Sequence, residues 1–128
     1  MNTSRFFLCL LFCIPLLSAC QDSRPAESLL PAEAFAQALE KQPGQVLDVR
    51  TPEEYAQGHL PQAQLLNFYD QDFEARIAQL DPKVQYYIYC KSGGRSAKAH
   101  KIMQAKGLKV VELSGGFEAW KSTALPQE

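Results

Sequence analysis

Cys90 is followed by Lys91, Ser92, Gly93, Gly94, Arg95 and Ser96, so a thiol, two cations and two adjacent glycines stand in one unbroken run. Paired glycines let a chain bend tightly with its N–H groups turned inward, which makes a nest for an anion. A helix beginning near Arg95 adds the positive end of its dipole, and Lys91 and Arg95 add formal charge. A thiol at the centre of such a cradle has a depressed pKa and is present largely as thiolate, its nucleophilic form. A lone cysteine is also commonly a small buried hydrophobe. The basic, glycine-rich continuation favours the reactive reading, with Cys90 as the catalytic nucleophile and residues 91–96 as the loop that receives substrate.

Such a loop has to be held by a scaffold, and the pattern on either side of it supplies one. Residues 46–49 (VLDV), 63–66 (AQLL), 84–89 (VQYYIY) and 110–113 (VVEL) are four strand candidates, and Leu29-Leu30 adds a short fifth. Between them lie helical patterns. Ala34, Phe35, Ala38 and Leu39 line one face of the first, opened by Pro31 at N1. Phe73, Ile77 and Leu80 line another; Ala99, Ile102 and Met103 line a third, which stops at Gly107. Thr51-Pro52-Glu53-Glu54 has the form of a capping box, starting a short helix that Gly58 ends. Strands alternating with helices predict an α/β domain with a mostly parallel sheet covered on both faces. In such sheets ligands bind beyond the carboxyl ends of the strands, which is where Cys90 falls, directly after Tyr89.

The full chain has 128 residues and four cysteines, but its start reads as a processing segment. Residues 1–19 carry one charge, Arg5, and an apolar run from Phe6 to Leu17, shorter than the roughly 20 residues that span a bilayer. This is the pattern of a signal peptide, removed on export. Leu17-Ser18-Ala19-Cys20 resembles the lipobox of bacterial lipoproteins, in which the cysteine becomes an acylated N-terminus; a plain secreted protein is the alternative. On the lipoprotein reading Cys20 is the lipidation site, and its acyl chains, at roughly 0.8 kcal/mol per buried CH₂, hold the protein on a membrane. Gln21, in place of the aspartate that signals retention, favours the outer membrane, with the domain in the periplasm. Residues 20–28 then form the lipidated N-terminus and a polar tether, and residues 29–125 the domain.

Removing residues 1–19 leaves an ordinary globular composition, about 42% hydrophobic. Twelve basic residues then face fourteen acidic ones, which excludes nucleic-acid binding driven by bulk positive charge. Cys9 and Cys13 leave with the signal. A disulfide between Cys20 and Cys90 is arithmetically available, but not if Cys20 is acylated.

Cys90 to Arg95 resembles the C-x-x-G-x-R active-site loop of the rhodanese (thiosulfate sulfurtransferase) family. Leu47-Asp48-Val49-Arg50-Thr51-Pro52-Glu53-Glu54-Tyr55 is similar to the family's D-V-R-x-x-x-E-[YF] segment. Gly58-His59-Leu60-Pro61-Gln62-Ala63 is similar to its G-H-I-P-G-A turn, with Gln62 where a glycine is usual, and Gly115-Gly116-Phe117-Glu118-Ala119-Trp120 to its G-G-x-x-x-W ending. The resemblance covers residues 29–125. It implies a three-layer domain whose central sheet has four to five strands. The implied chemistry is transfer of sulfane sulfur, from thiosulfate or a persulfide donor to cyanide or a thiol, through a persulfide on Cys90, with no cofactor. A protein sulfur acceptor is a further implied partner. Related phosphatases and arsenate reductases place five residues between cysteine and arginine. Here four intervene, a smaller ring that suits sulfur better than a phosphoryl group.

In this reading Arg95 either fixes the loop or receives the anionic donor. Asp48 and Arg50 are supporting residues, expected to form a structural ion pair, although Asp48 could instead accept from loop amides. His59 is expected to bond backbone, His100 to lie at the surface and Trp120 in the core. Tyr86, Tyr87 and Tyr89 read as strand residues, one of which could border the pocket. Neither histidine has spacing that suggests a metal site. Two further classes stay open: a persulfide carrier or redox sensor with little thiosulfate turnover, and a silent binding domain, which the intact Cys90 and Arg95 oppose.

Overall fold

The computed structural model describes residues 28–128. The signal peptide over 1–19, the lipidation site Cys20 and nearly all of the tether lie outside the described residues. Five strands, β1 (Leu29–Leu30), β2 (Gln45–Asp48), β3 (Gln64–Leu65), β4 (Gln85–Tyr89) and β5 (Lys109–Leu113), form one sheet in the order β1-β5-β4-β2-β3. Every pairing is parallel. The domain is thus an α/β fold with helices on both sheet faces, and β4 runs through its middle.

Side chains alternate along each strand, so the sheet builds two cores. On one face Leu47, Tyr86, Ile88, Cys90 and Val110 pack with Phe73 and Ile77 of α3 (Phe73–Ile77) and with Ala99 and Met103 of α4 (Gly94–Ala105). On the other, Val46, Tyr87, Tyr89, Val111 and Leu113 pack with Phe35 of α1 (Ala32–Lys41) and with Phe117 and Trp120 of α5 (Gly116–Lys121). Central strands buried on both sides read as continuous apolar runs rather than alternating ones, which is how QYYIY of β4 reads. The hydroxyls of its tyrosines are satisfied by Asp81, by Ala38 and Gln42, and by Asp48, so none of the three borders the active loop's cavity.

The helix starts follow their local chemistry. Thr51 caps α2 (Pro52–Ala56) with a full capping box: its hydroxyl accepts from the Glu54 N–H at 3.3 Å, and Glu54 Oε2 accepts from the Thr51 N–H at 2.9 Å. Pro31 is the N-cap of α1 rather than N1, because its ψ of 162° is still extended. Gly107, at φ 76°, follows the end of α4. Gln62 holds φ 59° in the turn where a glycine is usual, a strained setting for a side chain. Residues 126–128 continue the packing: Trp120 Nε1–H donates to the Pro126 carbonyl, and His59 and Glu128 exchange two backbone bonds. No helix among the described residues is long and apolar enough to cross a membrane.

Candidate active site

Strand β4 delivers Cys90 to its carboxyl end, where the chain turns at once into α4. The turn is made by Gly93 at φ 112°, which also serves as the N-cap of α4. No side chain caps this helix start, so its first N–H groups are left facing the thiol. The Gly93 N–H donates to Cys90 Sγ at 3.1 Å, and the Ser96 hydroxyl lies 3.4 Å from the same sulfur. Cys90 is buried. Burial pushes its thiol up, but the Ser96 hydroxyl and the N–H groups of Ser96, Gly93 and Ser92 outweigh that and hold it below the ordinary thiol range. The result is a thiol whose anionic, nucleophilic form is stabilised by oriented dipoles.

Helix α5 holds the loop from behind. Its first N–H groups donate to the loop's own carbonyls, Phe117 to Cys90 at 2.8 Å and Glu118 to Lys91 at 3.0 Å. That approach needs Gly116: a Cβ there would stand 2.5 Å from the Cys90 oxygen, and the residue sits at φ 60°. The paired glycines of the sequence thus bring a second helix N-terminus onto the loop.

Arg95 is held by Glu54. Its guanidinium forms a bidentate pair with Glu54 at 2.7 and 2.8 Å and lies 5.6 Å from the ring of the exposed Tyr69. This pair ties the active loop to α2. Glu54, absent from the candidate residues, is therefore part of the site; its place in the capping box and in the D-V-R-x-x-x-E segment was the signal. Lys91 and Ser92 are exposed, and Lys91 lines a cavity of about 150 Å³ with Arg50, Glu54, Gln57, Phe117, Glu118 and Lys121.

Asp48 and Arg50 form a buried ion pair at 2.6 Å. Asp48 also accepts from the Tyr89 hydroxyl, while Arg50 donates to the Gly58 carbonyl and stacks 4.2 Å over Phe117. The pair clamps β2, β4, the turn after α2 and the start of α5. No bond joins Asp48 to the amides of the active loop. His59 Nδ1 contacts the Leu60 carbonyl, and its ring stacks on Tyr55.

His100 is not at the surface. It is 7% exposed, with Nδ1 3.1 Å from Glu112 Oε2, and the other oxygen of Glu112 accepts from the Ser96 hydroxyl at 2.7 Å. Ser96, Ala99, His100 and Met103 are the buried residues of α4, an i, i+3, i+4, i+7 stripe whose polar members disguised it. Among the described residues no group of His, Cys, Asp and Glu is arranged to hold a metal ion.

A family model described as rhodanese-like domain matches residues 31–123. The thiosulfate sulfurtransferase GlpE of Pseudomonas fluorescens is 36% identical over 88 residues, covering 69% of this chain and 80% of that protein. Thiosulfate sulfurtransferase 18 of Arabidopsis thaliana is 32% identical over 118 residues, covering 81% and 87%. A crystal structure of a rhodanese-like domain protein from Staphylococcus aureus superposes with a TM-score of 0.65 at 33% identity, covering 73% of this chain and 90% of that one.

Proposed function

The chain belongs to the rhodanese-like domain family, which makes it a rhodanese-type sulfurtransferase at the level of the family, and from that premise we propose that it moves sulfane sulfur through a persulfide on Cys90. The observation that carries this is the buried thiol at the end of β4, facing oriented N–H groups and a hydroxyl. The Cys90 thiolate attacks the outer sulfur of thiosulfate. The Sγ–S bond forms, the S–S bond of the donor breaks, and sulfite leaves with the electron pair. The charge now on the outer sulfur stays within reach of the loop's fixed dipoles, which need no reorganisation as it moves. A nucleophile, cyanide or a thiol, then takes that sulfur and returns the thiolate. A protein thiol fits the same step.

In this account Lys91, Ser92, Gly93, Gly94 and Ser96 receive the anionic donor through N–H groups and charge, Arg95 fixes the loop through Glu54, and Asp48 with Arg50 supports the sheet edge beneath it. The protein works on a membrane surface of the cell envelope, exported by residues 1–19 and anchored through acylated Cys20. Purified protein given thiosulfate and cyanide is expected to form thiocyanate, read as its iron complex. Cys90→Ser is expected to reduce this to the uncatalysed rate, and turnover surviving in that variant contradicts the proposal.

A further inference from the structure

Behind Cys90 a buried chain of hydrogen bonds continues from Ser96 to Glu112 and His100, two residues that sulfur transfer as described above does not use. Ser96 Oγ is 3.4 Å from Cys90 Sγ, 3.2 Å from the Gly93 carbonyl oxygen and 2.7 Å from Glu112 Oε1, and Glu112 Oε2 is 3.1 Å from His100 Nδ1. Cys90, Ser96, Glu112 and His100 are 1%, 0%, 5% and 7% exposed, so the chain is largely shielded from bulk solvent. It crosses from α4 to β5, two elements that the sequence separates by several residues and the fold packs together.

The chain has too few protons for all its acceptors. A serine hydroxyl carries one hydrogen and can accept as well as donate. When Glu112 is a carboxylate, the short bond to Oε1 takes the Ser96 proton, and the oxygen of Ser96 faces the sulfur as an acceptor for S–H. When Glu112 is protonated, it donates to Ser96, and the Ser96 hydrogen turns to the sulfur, which is then a thiolate and as an anion a stronger acceptor than the neutral Gly93 carbonyl. The two arrangements keep the same heavy-atom positions and differ only in where two hydrogens sit. In this scheme His100 Nδ1–H donates to Oε2, and the buried Nε2 has no protein partner among the described residues. That bond fixes the carboxyl group and leaves Oε1 for Ser96.

We propose that Glu112 takes the proton of the Cys90 thiol through the Ser96 hydroxyl, with His100 as the residue that positions the carboxyl group. In the step the S–H proton passes to Ser96 Oγ as the Ser96 proton passes to Glu112 Oε1. One S–H and one O–H bond break, two O–H bonds form, and the electron pair stays on sulfur. Nothing is oxidised, and no water need enter. The proposal rests on Cys90 being the nucleophile of sulfur transfer, and it adds the route by which that nucleophile is made.

The charged groups facing the relay are few. Helix α4 contributes His100 and Arg95, the loop contributes Lys91, and α2 contributes Glu54, which is bound to Arg95. Asp48 at the end of β2 and Arg50 just after it pair with each other on the opposite face of the sheet, against Tyr89 and Phe117. Two sites that share one proton titrate as a pair in two macroscopic steps.

The test is the pH dependence of Cys90 alkylation by iodoacetamide in the full chain, followed by mass spectrometry of the Cys90 peptide. The wild-type rate is expected to rise in two steps separated by a plateau, with a further rise of about twofold in the alkaline step for a proton divided evenly between the sites. Glu112→Gln keeps the shape, accepts from Ser96 through its amide oxygen and can meet His100 Nδ1 through its amide N–H once the ring takes its other tautomer, but it has no acidic proton to share, so its profile is expected to collapse to one step. Ser96→Ala cuts the chain at another atom and is expected to do the same. A wild-type profile with one step that overlays Glu112→Gln overturns the proposal, as does a two-step profile in Ser96→Ala. Alkylation uses no sulfur donor, so this outcome and the thiocyanate outcome are independent of one another.

Discussion

A single carboxylate, Glu54, joins two jobs that the sequence shows apart. It closes the capping box of α2 and binds Arg95 of the active loop with both oxygens. The Arg95 guanidinium, against an opposing effect of burial and with help from the Thr51 N–H, lowers the Glu54 carboxyl from 4.5 to about 2. A carboxyl lowered in the folded state contributes stability that is fully present above about pH 4.5 and is lost as pH falls toward 2. Glu54→Gln is therefore expected to cost about 2 kcal/mol at neutral pH, with allowance for the pair's partial exposure. The difference from wild type is expected to close between pH 4.5 and 2, as read by denaturant unfolding at stepped pH. A difference that stays constant through that window contradicts the assignment of the pair.

At the scale of elements, the loop depends on two helix starts, those of α4 and α5, and only the first is apparent from the loop's own residues. Gly93 and Gly94 announce the turn into α4. The contribution of α5 rests on contacts between residues far apart in the sequence, the N–H groups of Phe117 and Glu118 with the carbonyls of Cys90 and Lys91. Gly116→Ala is expected to cost on the order of 2–3 kcal/mol, from backbone overlap and a left-handed φ, and to lower sulfur transfer by displacing the loop. Unfolding and thiocyanate formation measured on the same preparation check this, and a variant with wild-type values for both contradicts it. The strand set, the capping box and the α/β class were legible because each rests on local pattern: apolar runs, proline at N1, glycine after a helix. The buried side of α4 was not. Its stripe holds Ser96 and His100, residue types that read as solvent-facing until β5 brings Glu112 against them. The role of Arg95 was left open for the same reason, since its partner sits on α2, far away in sequence.

For the whole molecule, sheet order and chemistry converge on one edge. All five strands run the same way, and Cys90, the Asp48–Arg50 clamp and the start of α5 gather at the carboxyl end of β4 and its neighbours. Among the described residues Cys90 is the one free cysteine. With residues 1–19 removed and Cys20 acylated, as proposed, no second thiol stands in the mature chain to attack a sulfur held on Cys90, and discharge goes to an acceptor outside the protein. The most direct measurement of this account is tandem mass spectrometry of the protein after exposure to thiosulfate without an acceptor. The expected result is one added sulfur on the Cys90 peptide, removed when cyanide is supplied. A Cys90 peptide that gains no sulfur while the same preparation makes thiocyanate contradicts it.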